Sequence, residues 1–257
     1  MPPDAGRLVR GLFITGTDTG VGKTILSAAL LAAMAAAGEP VRAHKPVVTG
    51  LDEAPGEWPP DHELLASAAG MNPADVAPLR YGPAVSPHLA AELAGERIDP
   101  AQVLAAARAT TAHAAASRTA TSHAAAACGT LIVEGVGGLL VPFADDYTVR
   151  DLAAQLGLPL VIAARPGLGT INHTLLTLHA ARAAGLDVRA VVLTPWPTEP
   201  AAMERSNRET IARLGEVEVA VLPFVHTPTV AALAGAGATL PWREWALIGE
   251  RFVPSEP

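Results

Sequence analysis

A single cysteine, Cys128, stands among the 257 residues. No intrachain disulfide can form and no Cys cluster can hold zinc, which fits a reducing, cytoplasmic setting. Aromatic residues are scarce at 4 %, and charged ones reach 17 % against 50 % hydrophobic, so the core must be assembled from Ala, Val, Leu and Ile. Basic clusters are lacking as well. The chain sets 18 Lys and Arg against 25 Asp and Glu, for a formal charge of -7, so neither nucleic acid nor an anionic membrane surface is expected as a partner. The longest run of small apolar residues, Ile25 to Ala37, is too short to span a bilayer, and the opening MPPDAGRLVRGL lacks the continuous apolar centre of a signal peptide. The expectation is one soluble domain over residues 1–257.

What the chain does have is concentrated in LFITGTDTGVGKTILS, Leu12 to Ser27. A short apolar run breaks into the turn-prone GTDTG, then gives Gly22, Lys23 and Thr24 and continues as an Ala/Leu-rich segment, so it reads as strand, loop and helix. That is the layout of a phosphate-binding P-loop. Backbone N–H groups at the helix start and the helix dipole face anionic oxygens, Lys23 adds a full charge, and the Thr24 hydroxyl is placed to ligate Mg²⁺. The motif is imperfect, since Thr17 stands where the first glycine is usual and Gly16 lies one place earlier.

Further along, Gly38 ends the first helix, and Val41 to Val48 reads as a second strand carrying His44 and Lys45 before Pro46. A lone lysine is ordinarily just solvated, but one at the end of a strand in such a sheet points to the ligand crevice. Asp61 opens a helical stretch after the loop 51–60; an acid in a first turn ordinarily serves the dipole or the cap. Residues 71–99 read as mostly loop, and Asp99-Pro100 starts a long Ala-rich helix running towards Ala127. The buried strand Thr130 to Val133 ends in Glu134 and GVGG, where P-loop enzymes place an acid near Mg²⁺. Helix Thr148 to Leu156 and strand Leu160 to Ala164 follow, then a glycine loop with Thr170 as candidate cap of the next helix. Strand Val188 to Leu193, helix Pro200 to Leu214, strand Val217 to Leu222 and an interrupted helical tail from Thr227 complete the chain. Alternating strands and helices, with continuously apolar strands, mean an α/β fold of the P-loop NTPase type, a mostly parallel sheet with helices on both faces.

Five segments together resemble the dethiobiotin synthetase family: GTDTGVGKT (Gly16 to Thr24), HKPVVTG (His44 to Gly50), SPH (Ser86 to His88), VEGVGGLLVP (Val133 to Pro142) and GLGTINHTLLTL (Gly167 to Leu178). The resemblance implies an ATP-dependent ligase of biotin biosynthesis, in which 7,8-diaminopelargonate takes up CO₂ as a carbamate, the carbamate is phosphorylated, and the ureido ring closes. It implies that Gly20, Val21, Gly22, Lys23, Thr24 and Ile25 wrap the triphosphate, with Gly135, Val136 and Gly137 beside it. By the same resemblance Thr24, Asp61 and Glu134 hold Mg²⁺, and Lys23 and Lys45 flank the reacting groups. Thr19, Lys45 and Thr49 would contact the diamine; Leu168, Gly169, Thr170 and Asn172 would hold the carboxylate tail across the interface of a homodimer.

Two departures from the family stand out. Many members have a glutamate where this chain has Gly20. An Asn-Asp pair commonly follows the strand that here ends in Thr194-Pro195, and a threonine hydroxyl reads a base less selectively than an amide. Pro223, Phe224 and Val225 are the remaining candidates for base contact, and several nucleoside triphosphates are expected to serve. A ParA- or MinD-like ATPase switch is the rival reading, but the loop between Gly16 and Gly22 lacks the extra lysine of that class. Ligases related to the cobyrinic acid synthases carry a further glutaminase domain with a catalytic cysteine, for which this chain is too short.

Overall fold

Strand β1 (Gly11–Gly16) is buried along its whole length, as a continuous apolar run between turn signals dictates for a central parallel strand. In the computed structural model, which describes residues 10–54, 56–116 and 129–246 apart from the side chains of 111–116, the chain then turns into helix α1 (Lys23–Ala36). Alanine and leucine have the highest helix propensities, and Leu26, Leu30, Leu31 and Met34 of α1 are fully buried. Each such side chain contributes about 1.5–3 kcal/mol when removed from water.

Strand β2 (Val41–His44) is shorter than the sequence suggests. Pro46 has no N–H for a ladder, so the expected single strand Val41–Val48 is split there. The second piece, β3 (Val47–Val48), leaves the main sheet. Helix α2 (Asp61–Ala69) closes on Gly70 with φ 63°. The expected loop 71–99 holds α3 (Pro73–Val76), capped by the Asn72 side chain, β4 (Leu79–Arg80), which pairs with β3, and α4 (Pro87–Leu93). Helix α5 (Pro100–Ala116) follows; its expected extension to Ala127, and Cys128, lie outside the described residues. Next come β5 (Thr130–Gly138), the β6 (Pro142–Ala144) and β7 (Tyr147–Thr148) pair, and α6 (Val149–Leu156), which starts with a Thr148/Asp151 capping box. The rest is β8 (Leu160–Ala164), α7 (Thr170–Ala183), β9 (Val188–Trp196), α8 (Ala202–Gly215), β10 (Glu218–Pro223), α9 (Val230–Gly237) and α10 (Trp242–Trp245). Thr170 does not cap α7: Gly169 holds that position with φ 88°, and the Thr170 hydroxyl lies 3.4 Å from that of Thr174.

The main sheet has the order β10-β9-β8-β1-β5-β2, and every pair in it is parallel. Alternate residues of each strand point to opposite faces. Leu12, Ile14, Ile132 and Val161 therefore pack with α1, α2 and α9, while Phe13, Leu131, Val133 and Leu160 pack with α5, α6 and α7 on the other face. This is an α/β fold of the P-loop NTPase type. Among the described residues no helix is long and apolar enough to cross a membrane.

The contact between α1 and α9 is close enough to require glycine. A Cβ at Gly237 would lie 2.0 Å from the Ala29 carbonyl oxygen and 3.0 Å from the Ala33 Cβ. Gly237→Ala must therefore push the two helices apart, and we expect it to destabilise the fold by about 1–3 kcal/mol, measured by chemical denaturation; an unchanged midpoint would show that the contact yields at no cost.

Candidate active site

Parallel neighbours end at the same edge of a sheet, and ligands bind there. The end of β1 runs into the glycine loop, Ile14 of β1 sits beside Glu134 of β5, and Lys45 immediately follows β2 on the far side of β5. Order and register thus bring together groups about ninety to a hundred and ten positions apart in the chain. Glu134 does not end its strand, as the sequence suggested; β5 continues to Gly138.

The loop ends at Gly22, with φ 88° at the α1 N-cap and no capping side chain. The first N–H groups of a helix have no intrahelical partner, so this end faces the cavity with donors. Gly20 also lies in the left-handed region at φ 68°, and a side chain there would meet no atom within 4 Å. The position is therefore open in space but strained for any residue other than glycine.

Glu134 is fully buried. Its Oε1 accepts from Lys45 Nζ at 2.5 Å and from the Thr24 hydroxyl at 2.8 Å, while Oε2 is buried without a partner among the described residues. Lys45 Nζ also lies 2.5 Å from Asp61 Oδ2, and the Asp61 side chain is 46 % exposed. Burial pushes the Asp61 carboxyl up, but the Lys45 charge and hydrogen bond, with Thr24 and Lys23 adding to them, hold it below its ordinary value. For Lys45, burial opposes the charge, and the two carboxylates outweigh it and raise the ammonium above its ordinary value. Lys23 has no such pair. Its Nζ donates to the Asp18 carbonyl at 2.9 Å, and burial lowers it from 10.5 to about 8. His44 is buried next to Lys45; burial lowers it to about 4, so it is neutral at pH 7.

Lys23, Thr24, Lys45 and Asp61 line a cavity of about 660 Å³. Of the residues the sequence singled out, Thr19, Gly20, Gly22, Lys23, Thr24, Ile25, Lys45, Thr49, Asp61, Val136 and Gly137 line it, and Glu134 supports it from beneath. Val21 and Gly135 do not. Val21 is a core residue, and Gly135 is packed so that a Cβ would lie 2.7 Å from Val149. Thr194 is buried, and its methyl lies 2.8 Å from where a Gly22 Cβ would stand, so it braces the loop from below. The Phe224 N–H donates to the Trp196 carbonyl at 3.2 Å, which makes Thr194-Pro195 and Pro223 to Val225 neighbours at the ends of β9 and β10. Leu168 (95 % exposed), Gly169 and Asn172 are exposed and do not line the cavity, and Thr170 is buried.

Sequence reasoning missed the apolar part of the wall: Trp58, Pro59, Leu64, Val47, Val85, Pro87 and Val141. Ser86-Pro87 was visible as a motif without a role, and Trp58, one of only four tryptophans, stands just before Pro59-Pro60-Asp61. Val47 of this wall belongs to the β3–β4 pair, and Val85 and Pro87 follow β4 beyond the hydrogen bonds from Gly50 to Pro83, Leu51 to Tyr81 and Asp52 to Gly82. For a divalent cation the donor set is hard oxygen: the Thr24 hydroxyl, the Asp61 carboxylate and the orphaned Glu134 Oε2. Among the described residues no group of three His, Cys, Asp or Glu side chains could hold a metal, so nucleotide oxygens or water would have to complete such a shell.

A parallel sheet whose first strand leads through glycines to a lysine at a helix start defines the class, a P-loop nucleotide-binding protein. The family model described as an AAA domain matches residues 10–229. The ATP-dependent dethiobiotin synthetase BioD of Anaeromyxobacter dehalogenans (strain 2CP-1) is 43 % identical over 220 residues, covering 84 % of this chain and 91 % of that one. The protein of the same name from Mycobacterium sp. (strain KMS) is 39 % identical over 213 residues, covering 82 % and 86 %. That from Haloferax mediterranei is 37 % identical over 212 residues, covering 82 % of each chain. The chain belongs to the dethiobiotin synthetase family.

The lowered Lys23 value has a definite sign. Below pH 8 the lysine is charged in both folded and unfolded states and its burial cost is felt in full; between about 8 and 10.5 the unfolded chain binds more protons, so stability rises with pH. Lys23→Met should therefore melt higher than the parent at pH 7 by a margin that shrinks as pH passes 8 towards 10. A margin constant over that range would mean that Lys23 is not desolvated.

Proposed function

We propose that the chain is an ATP-dependent cyclo-ligase of biotin biosynthesis, which converts 7,8-diaminopelargonate, CO₂ and ATP to dethiobiotin, ADP and phosphate. Family membership supports the overall reaction. The observation that carries the residue assignment is the Lys45–Glu134–Asp61–Thr24 cluster facing the loop lysine across one cavity.

One amine nitrogen attacks the carbon of CO₂ and loses a proton, giving a carbamate. A carbamate oxygen then attacks the γ-phosphorus as the bond to ADP breaks, giving a carbamic-phosphoric anhydride. The second amine attacks the carbonyl carbon, and the phosphate leaves with the bonding electrons as the ring closes. Every step forms or moves negative charge on oxygen, so fixed cations and N–H donors meet the need better than a nucleophile. Lys23 and the N–H groups of Gly20 to Ile25 hold the triphosphate, and Lys45 neutralises the carbamate and the transferring phosphoryl group. Thr24, Asp61 and Glu134 would hold Mg²⁺, which when bound offsets charge on the phosphate oxygens. Thr19, Lys45 and Thr49 contact the diamine, and the apolar wall from Val47 to Pro87 excludes water from the labile anhydride.

The exposure of Leu168, Gly169 and Asn172, none of which lines the cavity of its own chain, supports their role on the substrate's tail in a neighbouring subunit of a homodimer. The setting is the cytoplasm. Base selection falls to Thr194 and Pro195 and to Pro223, Phe224 and Val225, the Thr194 methyl lying close to Gly22 of the loop. These offer rings and backbone groups, and several nucleoside triphosphates should serve.

The test is phosphate release with Mg²⁺ and bicarbonate, with and without the diamine, with mass analysis for dethiobiotin. Turnover should require the diamine and should fall by about 10²–10³ in Lys45→Ala; hydrolysis that ignores the diamine and yields no new product points to the ATPase switch. In the same assay kcat/KM for ATP should exceed that for GTP or CTP by less than about a hundredfold, or about 2.7 kcal/mol, and a larger preference would show that a base reader exists.

A further inference from the structure

The two carboxylates assigned to the metal are the two that Lys45 already holds. Its ammonium lies 2.5 Å from Glu134 Oε1 and 2.5 Å from Asp61 Oδ2, and the residue is only 3 % exposed. The other lysine is engaged elsewhere, since Lys23 Nζ donates to the Asp18 carbonyl. Glu134 Oε1 accepts two donors and only its Oε2 is without a partner, so a cation bound to this carboxylate and to Asp61 with Lys45 still in place would have the ammonium's like charge beside it.

Taking Lys45 away with nothing in its place is no better. It would leave the fully buried Glu134 uncompensated, the costliest state of such a pair. A cation at this position avoids that cost, and the Lys45 side chain also lines the cavity, which gives it somewhere to go.

We propose that Lys45 is the resident cation of the divalent-metal site, and that metal entry exchanges with its ammonium, which turns from between Glu134 and Asp61 into the cavity. The inference rests on the assignment of Thr24, Asp61 and Glu134 to the metal. It adds an order of events: Lys45 becomes available to the carbamate only once the cation is in place, so the reactive lysine is withheld from substrate that enters an unloaded site. Lys45 is then a catalytic residue in the loaded site and a counter-ion in the unloaded one.

The experiment uses Mn²⁺ alone, without nucleotide or diamine, with free Mn²⁺ read by electron paramagnetic resonance. Lys45→Met keeps the side chain's length and removes the competing charge, so it should bind Mn²⁺ at least tenfold more tightly than the parent, and Glu134→Gln should abolish the tight site. Binding no tighter in Lys45→Met than in the parent overturns the exchange. Should Lys45→Met fail to fold, the parent protein decides the matter: acetylation of Lys45 by acetic anhydride, mapped by peptide mass, should accelerate at least fivefold on addition of Mn²⁺, and an unchanged rate overturns the proposal. Neither readout involves turnover. A parent protein that makes no dethiobiotin sinks the reaction, whereas Mn²⁺ binding that ignores Lys45 sinks only the exchange.

Discussion

A carboxylate without access to water must be compensated by its neighbours or it will not stay ionised, and Glu134 places that demand in the middle of the sheet. Three elements answer it: α1 supplies the Thr24 hydroxyl, the chain after β2 supplies Lys45, and Lys45 in turn reaches Asp61 at the start of α2. A single buried charge thus fixes the phosphate loop, the strand beyond it and a helix that is not part of the sheet to one another. The cost of leaving any of these partners unmet holds the site's geometry in place before any ligand arrives.

Where local physics dominates, the sequence already contained the answer. The β1–loop–α1 unit could be read from Leu12 to Ser27 because an apolar run, glycines with left-handed dihedrals and an Ala/Leu helix each follow from short-range preferences. The end of α1 just before Gly38, whose φ is 80°, was legible for the same reason, since glycine accepts the left-handed position after a helix without strain. Lys45, Asp61 and Glu134 were chosen by position and by resemblance, and the structure does bring them within hydrogen-bond reach.

What could not be read depends on tertiary neighbours. Nothing local to Pro46 says that β3 will leave the main sheet and pair with β4 some thirty residues away. Thr194 was named for its place at the end of its strand, and nothing local to it says that its methyl group lies against Gly22 of the loop. Trp58 sits in a loop whose composition gives no period, and its place in the wall follows only from the packing of α2 against α1. The residues of the GLGTINH segment could be named but not located relative to the cavity, because their exposure is a property of the whole surface.

The β3–β4 pair, whose flanking residues form part of the cavity wall, bears on how such a chain can change. It shares no ladder with the six-stranded sheet, and its ties run between the segments 50–52 and 81–83. Substitutions at Thr49, Ala84, Val85 or Ser86 alter the shape of the cavity without shifting the register that sets Ile14 beside Glu134. Part of the cavity's shape is therefore carried by backbone outside the six-stranded sheet, and selection can remodel that part while the sheet register stays fixed.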